Sequence, residues 1–184
     1  MDVFLTDDNS LDGTSEAVSE FYPEIKLLKG TGSLYWAGGM RNSWSKALEK
    51  NYDGYLLIND DTFFYENLFS EIFKTNIYSI KNFFQKGIYV GSTQDEVSGA
   101  LTYGGSRYTN KLTGTISNIV PNGKCQSCEL GNANVMYVPR EVVSVLGILS
   151  DNYIHGVADY DYTYRAIKEK IPVLIMPNYV GNCA

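Results

Sequence analysis

The sequence predicts an α/β fold in which a mostly parallel central sheet is flanked by helices. Short, mainly apolar segments recur along the chain at 1–6 (MDVFLT), 55–58 (YLLI) and 173–176 (VLIM), and the last two are uninterrupted. Uninterrupted apolar runs of this length are typical of strands buried on both faces. Segments with helical spacing of apolar residues alternate with them in the first half, and strand-helix alternation favours a parallel sheet.

Local signals place the elements of the first third. The run 1–6 is a strand followed by the turn-rich segment DDNSLDGT, 7–14. Thr14 is a suitable N-cap for a helix over 15–22, which Pro23 ends. A strand is predicted at 25–28, a glycine-rich loop at 30–39 and an amphipathic helix at 40–50.

The later elements follow from the same patterns. The strand at 55–58 runs directly into Asn59-Asp60-Asp61-Thr62. Two helical stretches, 67–76 and a weaker one near 80–85, precede a strand at 87–92. Hairpins and loops rich in Gly, Thr and Asn fill 93–124. The remaining predicted elements are a strand at 135–138, a helix from Pro139 to about Leu146, a helix over 159–170 and a closing strand at 173–176.

Length and charge limit the function classes. The chain has 184 residues, no internal repeat and no linker composition, so we expect one domain. Its net charge is −6, without a cluster of Lys or Arg, which argues against nucleic-acid binding and against an anionic membrane surface acting alone. An acidic chain still suits a phosphate-bearing ligand if a divalent cation bridges the two. The 15 tyrosines suit sugar binding, although tyrosine also packs commonly in cores.

The cysteines and the hydropathy indicate a cytoplasmic protein. Cys125, Cys128 and Cys183 make an odd number and follow no signal peptide, which favours a reducing compartment. Cys125 and Cys128 have CxxC spacing without the further ligands of a zinc site, so we interpret all three as ordinary thiols. No apolar run approaches the roughly 20 residues that span a bilayer. We expect a soluble protein, peripheral to a membrane at most.

Three acidic clusters follow or lie near strands. They are Asp7-Asp8, Asp60-Asp61 and the pair Asp159 and Asp161. Each alone fits a turn or a helix cap. Ligands of open α/β sheets, however, bind at the carboxyl ends of strands, where such clusters meet. One carboxylate pair suits a Mg²⁺ or Mn²⁺ ion that neutralises a diphosphate, and a separate carboxylate suits a general base.

Several segments, in order, resemble family 2 glycosyltransferases, which have the GT-A fold. DDNSLDGT (7–14) resembles the first nucleotide-binding segment, GGMRNSW (38–44) the following glycine-rich turn, and NDDT (59–62) the DxD metal motif. GNANVMYVPREV (131–142) resembles the acceptor-side strand and helix, and ADYDYTYR (158–165) the segment that carries the base. The motifs cover about residues 3–180 and are specific only together.

The resemblance implies an inverting, rhamnosyltransferase-like enzyme of bacterial polysaccharide synthesis, using a nucleotide-diphosphate sugar and a glycan or lipid-linked acceptor. Asp159 would be the catalytic base and Asp61 the ligand of Mg²⁺ or Mn²⁺. Nucleotide contacts would come from Asp7, Asp8, Asp60 and Arg41, although Arg41 also fits a solvated helix position. The implied donor and acceptor pocket comprises Trp36, Gly38, Gly39, Asn132 and Asp161, with Asp161 either structural or acceptor-orienting.

The sequence departs from the family at both ends. A strand-helix unit that precedes DDNS in the family is missing, and the segment after the closing strand is short. Either the single catalytic domain, 1–184, is truncated or another copy supplies the missing edge, and an unpaired edge predicts a homodimer. Ala158 also replaces the usual Glu before the base, which removes a neighbouring charge.

Two other functions compete with glycosyl transfer. A sugar nucleotidyltransferase would carry a GxGTR-type loop near its start, but GTGSLYW (30–36) lacks the Arg and comes later. A vestigial or non-catalytic nucleotide-sugar-binding domain remains the alternative, and measurable donor hydrolysis or transfer would exclude it.

Overall fold

The structure is a computed structural model that describes residues 1–183, and these group into two units. Unit 1 comprises Met1–Tyr52 and Ile148–Ala158, and unit 2 comprises Asp53–Gly147 and the chain from Asp159 on. The sequence predicts one catalytic domain over 1–184, and that stays a prediction.

Unit 1 contains a two-stranded parallel sheet and two helices. Its elements are β1 (Phe4–Asp7), α1 (Thr14–Phe21), β2 (Lys26–Lys29) and α2 (Tyr35–Ala47). β1 pairs with β2 in register from Phe4 opposite Lys26. Strand, helix, strand and helix therefore follow in the predicted order.

Helix α2 starts five residues earlier than the sequence predicts. Gly38 and Gly39 consequently lie inside the helix rather than in a glycine-rich loop. The amide groups of Leu34 and Tyr35 are capped by the carboxylate of Asp8. That cap comes from a residue 26 positions earlier, so a local pattern gives no sign of it.

Unit 2 holds the other elements. They are β3 (Gly54–Ile58), β4 (Phe63–Phe64), α3 (Leu68–Phe83), β5 (Ile88–Gln94), β6 (Leu101–Tyr103), β7 (Gly105–Asn110), β8 (Thr115–Ile119), β9 (Gln126–Ser127), β10 (Leu130–Gly131), β11 (Val135–Pro139), α4 (Arg140–Leu146), α5 (Ala158–Lys168, in this unit from Asp159) and β12 (Val173–Asn182). The predicted helices at 67–76 and 80–85 are one continuous helix, α3.

The sheet of unit 2 is mixed, and the predicted mostly parallel sheet is not confirmed. Its main path is β3-β11-β5-β12-β4, with β6 and β9 alongside, and only β5 and β12 run parallel. β11 is antiparallel to both its neighbours, and β4 is antiparallel to β12. β7, β8 and β10 form a separate antiparallel sheet. A continuous apolar run indicates burial on both faces but not strand direction, so the fold is α/β with the finer GT-A topology left as a prediction.

The core of unit 2 lies between α3 and the sheet. Apolar side chains from α3, β5, β11 and β12 form it: Leu68, Ile72, Tyr89, Val135, Leu174, Met176 and Val180. Among residues 1–183, no helix is long and apolar enough to cross a bilayer. The seven-stranded sheet ends at β3 on one side, and dimerisation through an open edge stays a prediction.

Candidate active site

In unit 1, the carboxylate of Asp8 holds the start of α2. Its Oδ1 accepts from the amide of Gly32 at 2.8 Å, and its Oδ2 accepts from Leu34 at 2.7 Å and Tyr35 at 3.1 Å. Burial opposes the charged form, but these amides together hold the pKa of Asp8 below its usual value. Gly30 is required beside it, because a Cβ there would overlap the Asp8 carboxylate.

Asp7 has a comparable role in the turn after β1. It is buried, and its oxygens accept from the amide of Ser10 at 2.9 Å and from the hydroxyl of Ser15. The hydrogen bonds from Ser10, and then from Ser15, lower the pKa of Asp7. The carboxylates of both acids in the predicted nucleotide-binding segment thus stabilise two loops by accepting hydrogen bonds. Their contact with a nucleotide stays a prediction.

Arg41, on α2, anchors the 148–158 segment of unit 1. Its Nη1 donates to the carbonyl oxygens of Ser150 at 2.8 Å and Tyr153 at 2.7 Å. The guanidinium therefore has a structural partner at one nitrogen, and the predicted phosphate contact is not tested. Trp36 is half-buried in the first turn of α2, one turn before Gly39.

In unit 2, Asp60 and Asp61 form an exposed acidic turn between β3 and β4. The hydroxyl of Thr62 lies 3.5 Å from Oδ1 of Asp61. Within residues 1–183 neither carboxylate takes part in an ion pair with Lys or Arg. Their oxygens are consequently available to a ligand.

Asn134, directly before β11, holds both ends of this turn. Its Oδ1 accepts from the side-chain amide of Asn59, and its Nδ2 donates to Thr62 Oγ1 at 3.1 Å. The carbonyl oxygen of Asn134 also accepts from the backbone amide of Asn59 at 3.2 Å. Asn134 is buried, so the acidic turn projects from a fixed base although its two carboxylates are exposed.

Asp159 stands at the start of α5 and is 6% exposed. Its Oδ2 accepts from the amide of Ala133 at 3.0 Å, and its Oδ1 accepts from the amide of Tyr160 at 2.8 Å. Burial outweighs these hydrogen bonds and raises the pKa of Asp159. A carboxylate with a raised pKa is a stronger base than an ordinary aspartate.

The segment 132–134 joins the two acidic centres of unit 2. Ala133 binds Asp159 through its amide, and its neighbour Asn134 holds the acidic turn. Consecutive Cα atoms lie about 3.8 Å apart, so one short stretch of backbone fixes both positions. The sequence predicts that the acidic clusters meet at one edge of a sheet. Within unit 2, Ala133 and Asn134 connect Asp159 to the turn of Asp60 and Asp61, and a shared site stays a prediction.

A small polar pocket lies next to Tyr160, the residue that follows Asp159. Tyr160 and Asn132 contribute to it, with residues of β6 and β7 and with Asn118 on β8. Ser106 donates its hydroxyl hydrogen to Asn118 Oδ1 at 2.9 Å. Burial, together with the nearby Asp159 carboxylate, raises the pKa of Tyr160 above its usual value. Asn132 thus lines this pocket, and the donor and acceptor pocket that the resemblance implies stays a prediction.

Asp161 is engaged in an ion pair on the same helix. Its Oδ2 accepts from Arg165 Nε at 2.9 Å, and Arg165 Nη1 donates to the carbonyl of Leu146, the last residue of α4, at 2.9 Å. Of the two roles left open by the sequence, this geometry favours the structural one, in which Asp161 ties α5 to α4.

The donor set of the acidic turn fits a hard divalent cation. Mg²⁺ is commonly held by one or two carboxylates with waters and substrate phosphates completing the shell. Asp61 and Asp60 supply such oxygens. Nowhere in residues 1–183 do three or more His, Cys, Asp or Glu side chains gather as an all-protein metal cage.

Sequence reasoning missed Asn134 and Tyr160. Asn134 lies inside the recognised segment GNANVMYV, and a polar residue directly before a buried strand was the available signal. Tyr160 follows the predicted base, but most tyrosines in a Tyr-rich chain are packing residues.

No protein-family model matches the chain, and no curated protein matches it either. The resemblance to family 2 glycosyltransferases therefore stays a prediction.

Proposed function

We propose that this chain is an inverting glycosyltransferase that moves a sugar from a nucleotide-diphosphate donor to a hydroxyl of a glycan or lipid-linked acceptor. The observation that supports this most is the 132–134 segment, which holds an exposed acidic turn and a buried carboxylate of raised pKa at adjacent residues. One centre suits a diphosphate and the other suits a hydroxyl, as direct displacement at an anomeric carbon requires.

In this mechanism Asp159 takes the proton of the acceptor hydroxyl as its oxygen bonds to the anomeric carbon. The bond from that carbon to the diphosphate breaks at the same time, and the nucleoside diphosphate leaves with the electron pair. The amides of Ala133 and Tyr160 hold the Asp159 carboxylate in one orientation during the proton transfer. Its raised pKa increases the driving force for that transfer.

The acidic turn would stabilise the nucleoside diphosphate as it leaves. Asp61 would hold Mg²⁺ or Mn²⁺, which when bound neutralises the charge of the diphosphate, and Asp60 beside it would contact the nucleotide. Asn134 keeps the two carboxylates in place through Asn59 and Thr62. Asn132 and Tyr160 supply polar groups that suit sugar hydroxyls in the adjoining pocket. The three free thiols favour a reducing compartment, and we assign the reaction to the cytoplasm.

Replacing Asp159 tests the proposed base. Asp159→Asn should lower the transfer rate by about 10²- to 10⁴-fold, because general-base catalysis contributes that much. Nucleotide binding, measured by calorimetry with UDP, dTDP and GDP in the presence of Mn²⁺, should be unchanged. The matched control is Asp161→Asn, two residues away, which should retain transfer in proportion to its folded fraction. Equal loss in both variants would remove the base role from Asp159, whereas no transfer and no nucleotide binding by the wild type would favour the vestigial alternative.

A further inference from the structure

Thr163, on α5, joins two backbone segments through one buried hydroxyl. The residue is fully buried. Its Oγ1 accepts a hydrogen bond from the amide of Gly131 at 3.0 Å. The same hydroxyl donates to the carbonyl oxygens of Asp159 at 3.0 Å and Tyr160 at 3.1 Å, which share its one hydrogen. It therefore connects the first turn of α5 to the end of β10.

A second hydrogen bond links the same face of α5 to the same backbone segment. Asp159 and Thr163 lie one turn apart on the helix, so their side chains share a face. Asp159 Oδ2 accepts from the amide of Ala133, two residues after Gly131. The amide between those two donates instead to the carbonyl oxygen of Gly104, at 2.9 Å. Alternate amides of one segment thus bind side chains from successive turns of one helix.

The backbone at Gly131 approaches α5 closely. A Cβ at this position would lie 2.6 Å from Cγ2 of Val90 and 3.1 Å from Cγ2 of Thr163. Gly131, Ala133 and Thr163 are all buried. Because a buried amide without an acceptor is unfavourable, the two hydrogen bonds resist any shift of the helix along this segment.

Thr75, on α3, is a buried helical threonine without this contact. It is also fully buried and donates to the carbonyl oxygen of Glu71, four residues earlier, at 2.7 Å. Its own oxygen faces the thiol of Cys125, at 3.8 Å, instead of a backbone amide. Bonding to a carbonyl of the preceding turn is ordinary for threonine in a helix. The amide of Gly131 is therefore what distinguishes Thr163.

We propose that Thr163 is a positioning residue, which holds the Asp159 carboxylate in place by fixing the first turn of α5 on residues 131–133. The inference rests on the proposed function, in which Asp159 is the base. The amide of Ala133 alone would let this turn of the helix pivot, and the second hydrogen bond, one turn further along, prevents it. Positioning matters because a displacement of about 1 Å at a reacting group can lower a rate about 10²-fold.

Amide hydrogen exchange followed by NMR tests the positioning without any substrate. In the wild type the amides of Gly131 and Ala133 should be protected together. Thr163→Val removes the hydroxyl and should speed exchange at Ala133 about tenfold or more, relative to the amide of Leu174 in β12. Thr163→Ser, which keeps the hydroxyl, should restore the protection. The matched control Thr75→Val should leave the ratio of the two exchange rates unchanged.

Donor hydrolysis, with water as the acceptor, gives a second readout. The probes are a UDP-hexose, a dTDP-hexose and a GDP-hexose, each with Mn²⁺. Thr163→Val should lower kcat by about ten- to a hundredfold and leave KM for the donor unchanged, because the base is displaced while the acidic turn is not. Thr163→Ser should recover most of the wild-type kcat, and Thr75→Val should match the wild type at equal folded fraction.

The two readouts separate this inference from the proposed function. Wild-type exchange at Ala133 in Thr163→Val, or equal loss of kcat in Thr163→Val and Thr75→Val, would overturn the positioning role. Unprotected amides at Gly131 and Ala133 in the wild type would overturn it too, even if Thr163→Val does not fold. A wild type that hydrolyses none of the donors would count against the transferase, and exchange would still decide whether Thr163 holds Asp159.

Discussion

The chain contains two Asp-Asp pairs, each just after or at the end of a strand, and they differ in what their carboxylates do. Asp7 and Asp8 accept hydrogen bonds from backbone amides and a serine hydroxyl, and they fold the loops around them. Asp60 and Asp61 are exposed, and the turn that carries them is held by Asn134 instead. The same dipeptide therefore serves structure in unit 1, while in unit 2 it leaves charge available for a ligand.

We expect the largest effect in nucleotide binding, which should depend on the Asp60-Asp61 pair. Asp61→Ala should weaken Mn²⁺-dependent nucleotide binding by at least about tenfold, because metal sites lose that much even from supporting residues. Its urea midpoint should stay at the wild-type value, since Asp61 is exposed. Calorimetry with and without Mn²⁺ measures the first quantity. Undiminished binding by this variant would remove the metal role from the acidic turn.

Asp8→Ala should show the reverse pattern. Three amides at the start of α2 lose their acceptor, so this variant should have the lowest urea midpoint among single alanine replacements at the four aspartates. Chemical denaturation followed by circular dichroism measures it. If Asp60→Ala lowers the midpoint as much as Asp8→Ala does, the contrast between the pairs is wrong.

Asn134→Ala tests whether this buried side chain supports the acidic turn of Asp60 and Asp61. Loss of a buried hydrogen-bonding side chain should lower the free energy of unfolding by about 1–3 kcal/mol. Nucleotide binding should weaken several-fold as well, because the acidic turn loses its support. Asn122→Ala, at an exposed loop position, is the control and should change neither quantity. A stability loss without any change in binding would show that the turn keeps its shape unaided.

The smallest expected effect is on acid stability. The pKa values of Asp7 and Asp8 are lowered in the folded chain, so their stabilising contribution is present above the unfolded value, near 3.9, and is lost as the pH falls through the folded value. Asp8→Asn should therefore lose less stability than the wild type on acidification below about pH 4. Asn9→Ala is the non-titrating control, and identical pH slopes for all three proteins would contradict the assignment.

The sequence located most elements because their signals are local. Apolar runs marked β3, β11 and β12, and Pro139 marked the start of α4. Strand direction was not predictable, because the YLLI and VMYV runs are apolar whichever way their neighbours run. The unbroken α3 was missed because Thr75 and Ser79 interrupt its apolar pattern while bonding to backbone carbonyls.

In the candidate site, too, residues with local signals were predicted and roles that depend on distant partners were missed. Asp60 and Asp61 were predicted from their position directly after the YLLI strand, and Asp159 from the resemblance of ADYDYTYR to the segment that carries the base, both properties of the local sequence. Asn134 was missed because its partners Asn59 and Thr62 lie 75 and 72 residues away. The structural roles of Asp8 and Arg41 were missed for the same reason, since their partners lie 24 to 27 and 109 to 112 residues away.

Because Cys183 contacts Asn134, the reactivity of its thiol can measure local opening beneath the acidic turn. Asn134 Nδ2 lies 3.2 Å from Cys183 Sγ, and the thiol is 2% exposed, so a thiol reagent reaches it only when this region opens. Cys128 is also buried, with a pKa raised to about 12, while Cys125 is half-buried. Timed labelling of the three thiols, resolved by mass spectrometry, would therefore compare local opening beneath the acidic turn with unfolding of the interior.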